Sequence, residues 1–214
     1  MRQMIEKYRN LELDRFQVEA IQAINQNYSV IVSAPTGTGK TLVADYLVDI
    51  AIQNNKRIVY TAPIKALSNQ KYKDFVKQFG NEQIGIMTGD IVINPTAPLL
   101  IMTTEIFRNQ VITEDENLKN IAYVIFDEIH WLNDEERGTV WEESIILAPV
   151  NIKILGLSAT IANAQELVSW IESIRNEKVI LIEEHNRIVP LSYYYFTAET
   201  GFVDYNSLVK FYYQ

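Results

Sequence analysis

Residues 29–41 read S-V-I-V-S-A-P-T-G-T-G-K-T. The first five residues form a short β-branched run, which is typical of a strand buried on both faces of a parallel sheet. The next eight include two glycines, a lysine and a threonine, and a stretch with helical spacing follows them directly. A strand, a loop of the form G-x-x-x-x-G-K-[ST] and a helix, in this order, indicate a protein that binds a nucleoside triphosphate by its phosphates.

The residue types in this loop suit phosphate binding. Gly37 and Gly39 let the backbone curl so that successive N–H groups point at a phosphate, and the next helix adds a partial positive charge. We expect the Lys40 ammonium to reach the β- and γ-phosphates and the Thr41 hydroxyl to bind Mg²⁺. The predicted ATP-binding loop residues are Ala34, Pro35, Thr36, Gly37, Thr38, Gly39, Lys40 and Thr41. Ala34 departs from the general pattern, which has glycine there, and this points to a subset of such proteins.

Similar apolar runs recur along the chain and alternate with helical stretches. The predicted strands are Ser29–Ser33, Arg57–Thr61, Leu99–Thr103, Ile121–Phe126, Ile152–Leu157 and Val179–Glu183. The predicted helices are Asp14–Asn25, Lys40–Asn54, Ile64–Phe79, Thr104–Val111, Glu135–Leu147 and Ala164–Ser173. Strands that alternate with helices of this length form stacked βαβ units. The sequence therefore predicts an α/β fold, a three-layer α/β/α sandwich with a mainly parallel sheet.

Composition excludes several classes of protein. With 48% hydrophobic and 21% charged residues, the 214-residue chain is not a disordered polymer. It has no cysteine and two histidines, so disulfide scaffolds, zinc fingers, iron–sulfur sites and multi-histidine metal sites are excluded. No apolar run approaches the roughly 18–20 residues that span a bilayer, and the N-terminus lacks the apolar stretch of a signal peptide. We expect an intracellular, cytoplasmic protein with no membrane partner.

The charge is unevenly distributed. The net charge is −8, opposite in sign to that of a typical nucleic-acid-binding domain. Residues 56–77 nevertheless hold six basic residues against one acid, whereas residues 114–143 hold ten acids against two basic residues. An acidic chain of this kind can still present one cationic face.

Two further motifs follow predicted strands. The run Y-V-I-F at 123–126 ends in Asp127 and Glu128, at the sheet edge where open α/β sheets bind ligands. There Asp127 can hold Mg²⁺ and Glu128 can deprotonate an attacking water. His130 alone favours a structural histidine. Ser158, Ala159 and Thr160 follow the fifth predicted strand and form a candidate switch element.

Together these motifs resemble a known family. A-P-T-G-T-G-K-T, D-E-I-H and S-A-T, in this order and spacing, resemble motifs I, II and III of superfamily 2 helicases of the DExH type. The stretches T-A-P-I-K-A-L-S-N-Q-K-Y at 61–72, M-T-G-D at 87–90 and M-T-T-E-I-F-R at 102–108 look like further motifs of the first motor domain. E-R-G-T-V-W-E-E at 136–143 is similar to the Ski-type (superkiller) RNA helicases that serve the exosome. The resemblance runs from about Leu13 to about Pro190.

The resemblance implies a RecA-like domain that binds ATP and Mg²⁺, and roles for further residues. Phe16 and Gln17 fall where such helicases recognise adenine, although Gln17 is also compatible with an ordinary amphipathic helix. His130 would join Lys40, Asp127 and Glu128 in the catalytic set and, with the S-A-T motif, couple nucleotide state to a second motor domain. The residues that would contact single-stranded nucleic acid, here RNA, are Pro63, Lys65, Ala66, Thr103 and Thr104. Lys71, Lys73 and Lys77 are equally compatible with a solvated helix face.

The resemblance also implies a division of the chain. Residues 1–190 would form the first RecA-like domain, and residues 191–214 a connector toward a second one in the parent protein. The tyrosine-rich connector is equally compatible with an edge strand and a frayed end. The second domain and RNA-degradation machinery are the implied partners. Arginines of the second domain would complete the site, so the isolated chain is expected to hydrolyse ATP poorly.

Three functions remain open from sequence. The leading hypothesis is the ATP-binding motor domain of an ATP-dependent RNA helicase with 3′→5′ polarity. The first alternative is a DNA-repair helicase of the related archaeal type, since phosphate contacts carry no direct base information. The second alternative is a stand-alone nucleotide-binding switch or interaction module.

Overall fold

The computed structural model describes residues 5–118, 120–187 and 189–213. The strands are β1 (Lys7–Tyr8), β2 (Leu11–Glu12), β3 (Ser29–Ser33), β4 (Arg57–Ala62), β5 (Ile84–Met87), β6 (Val92–Ile93), β7 (Leu99–Thr103), β8 (Ile121–Phe126), β9 (Lys153–Ser158), β10 (Val179–Glu183), β11 (Tyr195–Thr197) and β12 (Gly201–Val203). The helices are α1 (Arg15–Asn25), α2 (Lys40–Gln53), α3 (Lys65–Phe79), α4 (Thr104–Ile112), α5 (Gly138–Leu147), α6 (Ala164–Arg175) and α7 (Tyr205–Tyr213).

Eight strands form one central sheet in the order β10-β3-β9-β8-β4-β7-β5-β6. Seven of them run parallel, and β6 closes one edge antiparallel to β5. The predicted three-layer α/β/α sandwich is confirmed. All six predicted strands are present to within one residue at either end, and all six predicted helices are present. No helix in the described part of the chain is long and apolar enough to cross a membrane.

The core lies in two layers, one on each face of the sheet. Val30 and Val32 of β3 pack toward α1 and α2, whereas Ile31 between them packs toward the layer that contains Trp141 of α5 and Ile171 of α6. Successive side chains of a strand point to opposite faces. A strand with helices on both sides therefore needs the continuous apolar run that the sequence shows.

The structure adds a strand that the sequence pattern did not predict. β5 holds Gly85, and a Cβ at this position would lie 2.1 Å from the Asn94 carbonyl oxygen. The close approach of the β6 connection requires glycine there, and glycine weakens the β-branched signal of a strand. The fifth helix begins at Gly138 rather than Glu135, because the Asp134 carboxylate accepts the N–H groups of Glu136 and Arg137 in a turn.

The C-terminal segment forms a small unit of its own. β11 and β12 pair antiparallel with each other, apart from the central sheet, and α7 follows them. Within the described residues, neither β11 nor β12 joins the central sheet as an edge strand. Several aromatic side chains of this segment are largely exposed, including Tyr193 (75%) and Phe202 (77%).

Arg175, the last residue of α6, is buried, and its hydrogen bonds connect α6 to α5 and to the segment between α5 and β9. Its guanidinium donates to Glu177 Oε1 at 2.8 Å and to the carbonyls of Ile145, Ala148, Pro149 and Ile152. Glu177 also pairs with Lys153 and accepts the Ser29 hydroxyl. Burial alone would raise the pKa of Glu177, but the hydrogen bonds from Arg175 and Lys153 outweigh it and hold that pKa below its ordinary value.

Replacing Arg175 by methionine should lower the free energy of unfolding by about 3–5 kcal/mol, because it leaves a buried carboxylate and four carbonyls short of a partner. Urea denaturation at pH 7 measures this. The exposed pair of Arg15 with Glu19 offers the control, and Arg15→Met should leave the midpoint unchanged. The Glu177 contribution should be complete above its unfolded-state pKa of about 4.5 and lost as the pH falls through the lower folded-state value. A loss below about 1 kcal/mol for Arg175→Met would contradict this assignment.

Candidate nucleotide-binding site

The backbone conformation of the loop between β3 and α2 depends on two glycines. Gly37 and Gly39 both have φ near 86°, in the left-handed region that glycine adopts without strain. The Thr38 hydroxyl donates to the Pro35 carbonyl at 2.8 Å, and this hydrogen bond stabilises the curved backbone of the loop. Thr36 and Thr41 are exposed on the loop and at the start of α2. Left-handed glycines followed directly by the start of a helix are the local structure that a phosphate loop uses.

Lys40 lies folded into this loop. Its Nζ donates to the carbonyls of Ala34 at 2.6 Å and Pro35 at 3.0 Å. Burial lowers the pKa of Lys40, and the nearby carboxylates of Glu128 and Asp127 partly offset this. The structure therefore brings the predicted cation of the phosphate loop close to the predicted acidic pair.

Gln17 connects α1 to the loop. Its Oε1 accepts the N–H of Asp14 at 2.9 Å, and its Nε2 donates to the Gly39 carbonyl at 3.1 Å. Gln17 is only 4% exposed, and a Cβ at Gly39 would lie 2.8 Å from its Nε2. Phe16 is also buried and packs in the core. Phe16 supports α1 from inside, and its contact with a nucleotide stays a prediction, as does that of Gln17.

Asp127 follows β8 and is held by four groups. Its N–H donates to the Thr61 carbonyl, and its Oδ1 accepts the N–H of Glu128 at 3.1 Å. The Tyr60 hydroxyl donates to Asp127 Oδ2 at 2.5 Å, and Lys71 Nζ lies 4.0 Å from the same oxygen. Burial, reinforced by Asp127, raises the pKa of Tyr60 well above its ordinary value, so the phenol stays protonated and donates.

Sequence reasoning missed Tyr60 and left Lys71 undecided. Tyr60 of β4 pairs with Ile125 of β8, two residues before Asp127. A hydroxyl in an otherwise apolar strand that is in register with an acidic strand end is the signal that could have found it. Lys71 turns out to lie on the nucleotide side of α3, with its ammonium 5.3 Å from the centre of the Tyr60 ring.

The acidic strand end leads into a strained turn. Glu128 has φ of 54° and is a left-handed residue at the start of the 3₁₀ turn Ile129–Asn133. Glutamate seldom adopts this conformation, and such strain tends to occur at functional sites. The His130 Nδ1 lies 3.2 Å from Glu128 Oε2 and makes no hydrogen bond within the described residues.

The S-A-T motif lies against the loop. The Ser158 carbonyl accepts the N–H of Ala34 at 3.2 Å. An open cavity of about 300 Å³ is lined by residues from all three motifs, including Thr36, Glu128, His130 and Ala159. Ser158 itself is buried, and its Oγ has no partner within the described residues, whereas Thr160 is exposed. The structure thus brings the loop, the acidic pair and the candidate switch together at one sheet edge.

The donor set here fits a magnesium nucleotide. Mg²⁺ prefers oxygen ligands and takes one or two from the protein, the rest coming from phosphates and water. The Asp127 carboxylate and the Thr41 hydroxyl are of this type. Among the described residues, no group of three or more His, Cys, Asp or Glu side chains could hold a metal on its own.

A second groove, of about 370 Å³, lies at the N-terminal ends of α3 and α4. Three predicted nucleic-acid residues, Pro63, Lys65 and Thr103, line it, and Arg137 adds a cation. Lys65 Nζ is paired with Asp90 at 2.6 Å. Ala66 is exposed next to the groove, but Thr104 is fully buried in the first turn of α4. Its role as a nucleic-acid contact stays a prediction.

A phosphate loop on a parallel α/β sheet, with an acidic strand end beside it, defines a nucleotide-binding domain of the P-loop class. Residues 14–167 match the DEAD/DEAH box helicase family, and the chain belongs to this family. Exosome RNA helicase MTR4 of Homo sapiens is 48% identical over 186 residues, which cover 87% of this chain and 18% of that protein. Antiviral helicase SKI2 of Saccharomyces cerevisiae is 46% identical over 180 residues, 84% of this chain and 14% of that protein. The chain thus spans about a fifth or less of the length of these relatives.

Solved structures share the RecA-like fold. Helicase MrfA bound to DNA superimposes with a TM-score of 0.66 at 22% identity, over 81% of this chain and 27% of that one. Helicase Lhr of Mycobacterium smegmatis superimposes with a TM-score of 0.64 at 23% identity, over 79% of this chain and 25% of that one.

Replacing Lys40 by alanine should weaken ATP binding at least about thirtyfold, because a partly desolvated, charge-assisted contact with phosphate is worth about 2–3 kcal/mol. Titration with a fluorescent ATP analogue measures this. Lys56→Ala, an exposed lysine beyond the other end of α2, is the control and should bind as the unchanged chain does. Equal affinity of the two variants would exclude the loop as the phosphate site.

Proposed function

We propose that this chain is the ATP-binding motor domain of an ATP-dependent RNA helicase. The longer parent protein would hydrolyse ATP with Mg²⁺ and unwind or remodel RNA with 3′→5′ polarity. One observation carries the proposal: three motifs from distant parts of the sequence meet at one sheet edge, where the Ser158 carbonyl is bonded to the Ala34 N–H of the phosphate loop. Such an edge can hold a nucleotide and sense its state.

The geometry supports a division of roles among the site residues. Lys40 would neutralise the β- and γ-phosphates, while Thr41 and Asp127 would hold Mg²⁺. Glu128 would take the proton of the attacking water. His130, which lines the same cavity as Glu128 and Ala159, would transmit the nucleotide state to the S-A-T motif.

RNA is the proposed substrate because relatives such as MTR4 carry RNA helicase in their names. The groove with Lys65 and Arg137 would hold the phosphates of a single strand. Asp90 is paired with Lys65, so an RNA phosphate would have to displace this carboxylate in order to bind Lys65.

We further propose that residues 1–190 form the first RecA-like domain and residues 191–214 lead toward a second one. The separate β11–β12 sheet and its exposed aromatic side chains support this division. A cytoplasmic location and a partnership with RNA-degradation machinery belong to the same proposal and follow from the resemblance to Ski-type helicases.

Lys65→Ala should weaken binding of single-stranded RNA and reduce the slope of log affinity against log salt by about one, the effect of one lost phosphate contact. Fluorescence anisotropy with labelled RNA between 50 and 200 mM salt measures it. Lys77→Ala, in the last turn of the same helix, is the matched control and should change neither quantity. Stronger competition by DNA than by RNA of the same sequence would favour the DNA-repair alternative.

The 214-residue chain alone should hydrolyse ATP very slowly, because an arginine supplied from across the cleft contributes about 10³–10⁵ in rate to this class of reaction. A phosphate-release assay with and without single-stranded RNA tests this. Turnover of several per second by the chain alone would contradict the proposed two-domain motor.

In the full-length parent, Glu128→Gln should leave ATP binding intact and stop turnover, since an amide cannot accept the proton.

A further inference from the structure

Asp127 has two neighbours that the roles proposed above do not use. Tyr60 lies in the middle of the sheet and is completely buried, and its hydroxyl donates to Asp127 Oδ2 at 2.5 Å. Lys71 comes from α3 and places its ammonium 4.0 Å from the same oxygen. The two side chains also touch each other, since the Lys71 ammonium lies 5.3 Å from the centre of the Tyr60 ring.

The two groups act on different parts of the carboxylate. The phenol is a neutral donor, and it fixes the rotation of the carboxylate by occupying Oδ2. Oδ1 accepts only the Glu128 N–H among the described residues, and so has a lone pair left for a metal ion. The ammonium is a full positive charge, and at this distance it opposes the arrival of a second cation at the same carboxylate.

Lys71 is held where it is by charges on both sides. Its side chain is 21% exposed, and it lies within electrostatic range of Asp45 on α2 as well as of Asp127. Asp45 is also paired with Arg9, whose Nη1 lies 3.6 Å from the Asp45 carboxylate. Arg9 shares the negative charge of Asp45, so Lys71 can be drawn toward Asp127, where the Tyr60 hydroxyl is the closer donor to the same oxygen.

We propose that Tyr60 is a positioning residue for the Mg²⁺-binding carboxylate of Asp127 and that the Lys71 ammonium competes with the metal for this carboxylate. The Tyr60 hydroxyl, the nearer donor to Oδ2, holds the carboxylate in its present rotation, and without it the Lys71 ammonium becomes the nearest donor to that oxygen. This inference rests on the proposed function, since it assumes that Asp127 binds the metal of a magnesium nucleotide.

The proposal predicts opposite changes in Mg²⁺-dependent nucleotide affinity for two substitutions. Tyr60→Phe keeps the ring and its packing but removes the donor, so Lys71 can close onto Asp127 and compete with Mg²⁺. We expect the Mg²⁺-dependent gain in nucleotide affinity to fall about tenfold, the size of one hydrogen bond to a charged group. Lys71→Met removes the competing charge and should raise this gain severalfold. In the double variant the gain should return to within about threefold of the unchanged chain, because its competitor is gone.

The experiment is a titration of a fluorescent, non-hydrolysable ATP analogue against the 214-residue chain, first in EDTA and then in excess Mg²⁺. The ratio of the two dissociation constants is the readout, so hydrolysis is not needed. Tyr123→Phe is the matched control: Tyr123 is also buried in the sheet, but its hydroxyl donates to the Tyr28 carbonyl, away from the site. Thermal unfolding of each single variant and of the double variant shows whether it folds.

Tyr123→Phe should keep the ratio of the unchanged chain, and Tyr60→Phe should lower it while its affinity in EDTA stays constant. An unchanged ratio for Tyr60→Phe overturns the proposal. So does an equal loss of affinity in EDTA and in Mg²⁺, which would mean that the hydroxyl serves only the packing of the sheet. Failure of the unchanged chain to bind nucleotide in either condition would instead refute the proposed function.

Discussion

The parallel register of the central strands is the constraint on which the site depends. Ser33 at the end of β3 pairs with Ser158 at the end of β9, and Thr61 of β4 pairs with Phe126 of β8. Residues that lie 125 and 65 positions apart in sequence therefore end at one edge. A one-residue slip would turn every side chain of a strand to the other face, so the two-sided apolar core that fixes the register also fixes the site.

Charge at this edge is balanced over short distances, although the chain as a whole is acidic. Burial disfavours the charged form of Lys40, and the neighbouring carboxylates of Glu128 and Asp127 favour it. Lys71 in turn lies against Asp127. Lys40 and Lys71 thus both have carboxylate partners within the protein, and the proposed binding of a magnesium nucleotide would exchange these partners for phosphate and metal. Long-range attraction contributes little to such an exchange, because the net charge of −8 repels an anion.

Elements that follow from hydrophobic periodicity could be predicted from the sequence. Features that depend on one particular contact in the folded protein could not. Six of the eight strands of the sheet, and the loop between β3 and α2, follow from apolar runs and glycine spacing. β5 escaped prediction because the close approach of Asn94 requires Gly85 within the strand. The burial of Thr104 and Phe16 could not be predicted, because a motif shows where a residue lies along the chain and does not show how deep its side chain is buried. Tyr60 is the converse case, a core residue whose one polar atom reaches the site.

The E-R-G-T-V-W segment physically joins the nucleotide site to the groove. A Cβ at Gly138 would lie 2.3 Å from the Leu132 carbonyl oxygen, so only glycine lets α5 begin directly against the 3₁₀ turn that starts after Glu128. Trp141 of α5 stacks on Trp131 of the turn, and the Arg137 guanidinium lies 5.5 Å from the Trp131 ring. One short turn therefore carries His130 at the nucleotide cavity and, through Trp131, contacts Arg137 at the groove. A displacement of this turn is expected to reach Arg137 through Trp131, because no other described residue separates the Trp131 ring from the Arg137 guanidinium.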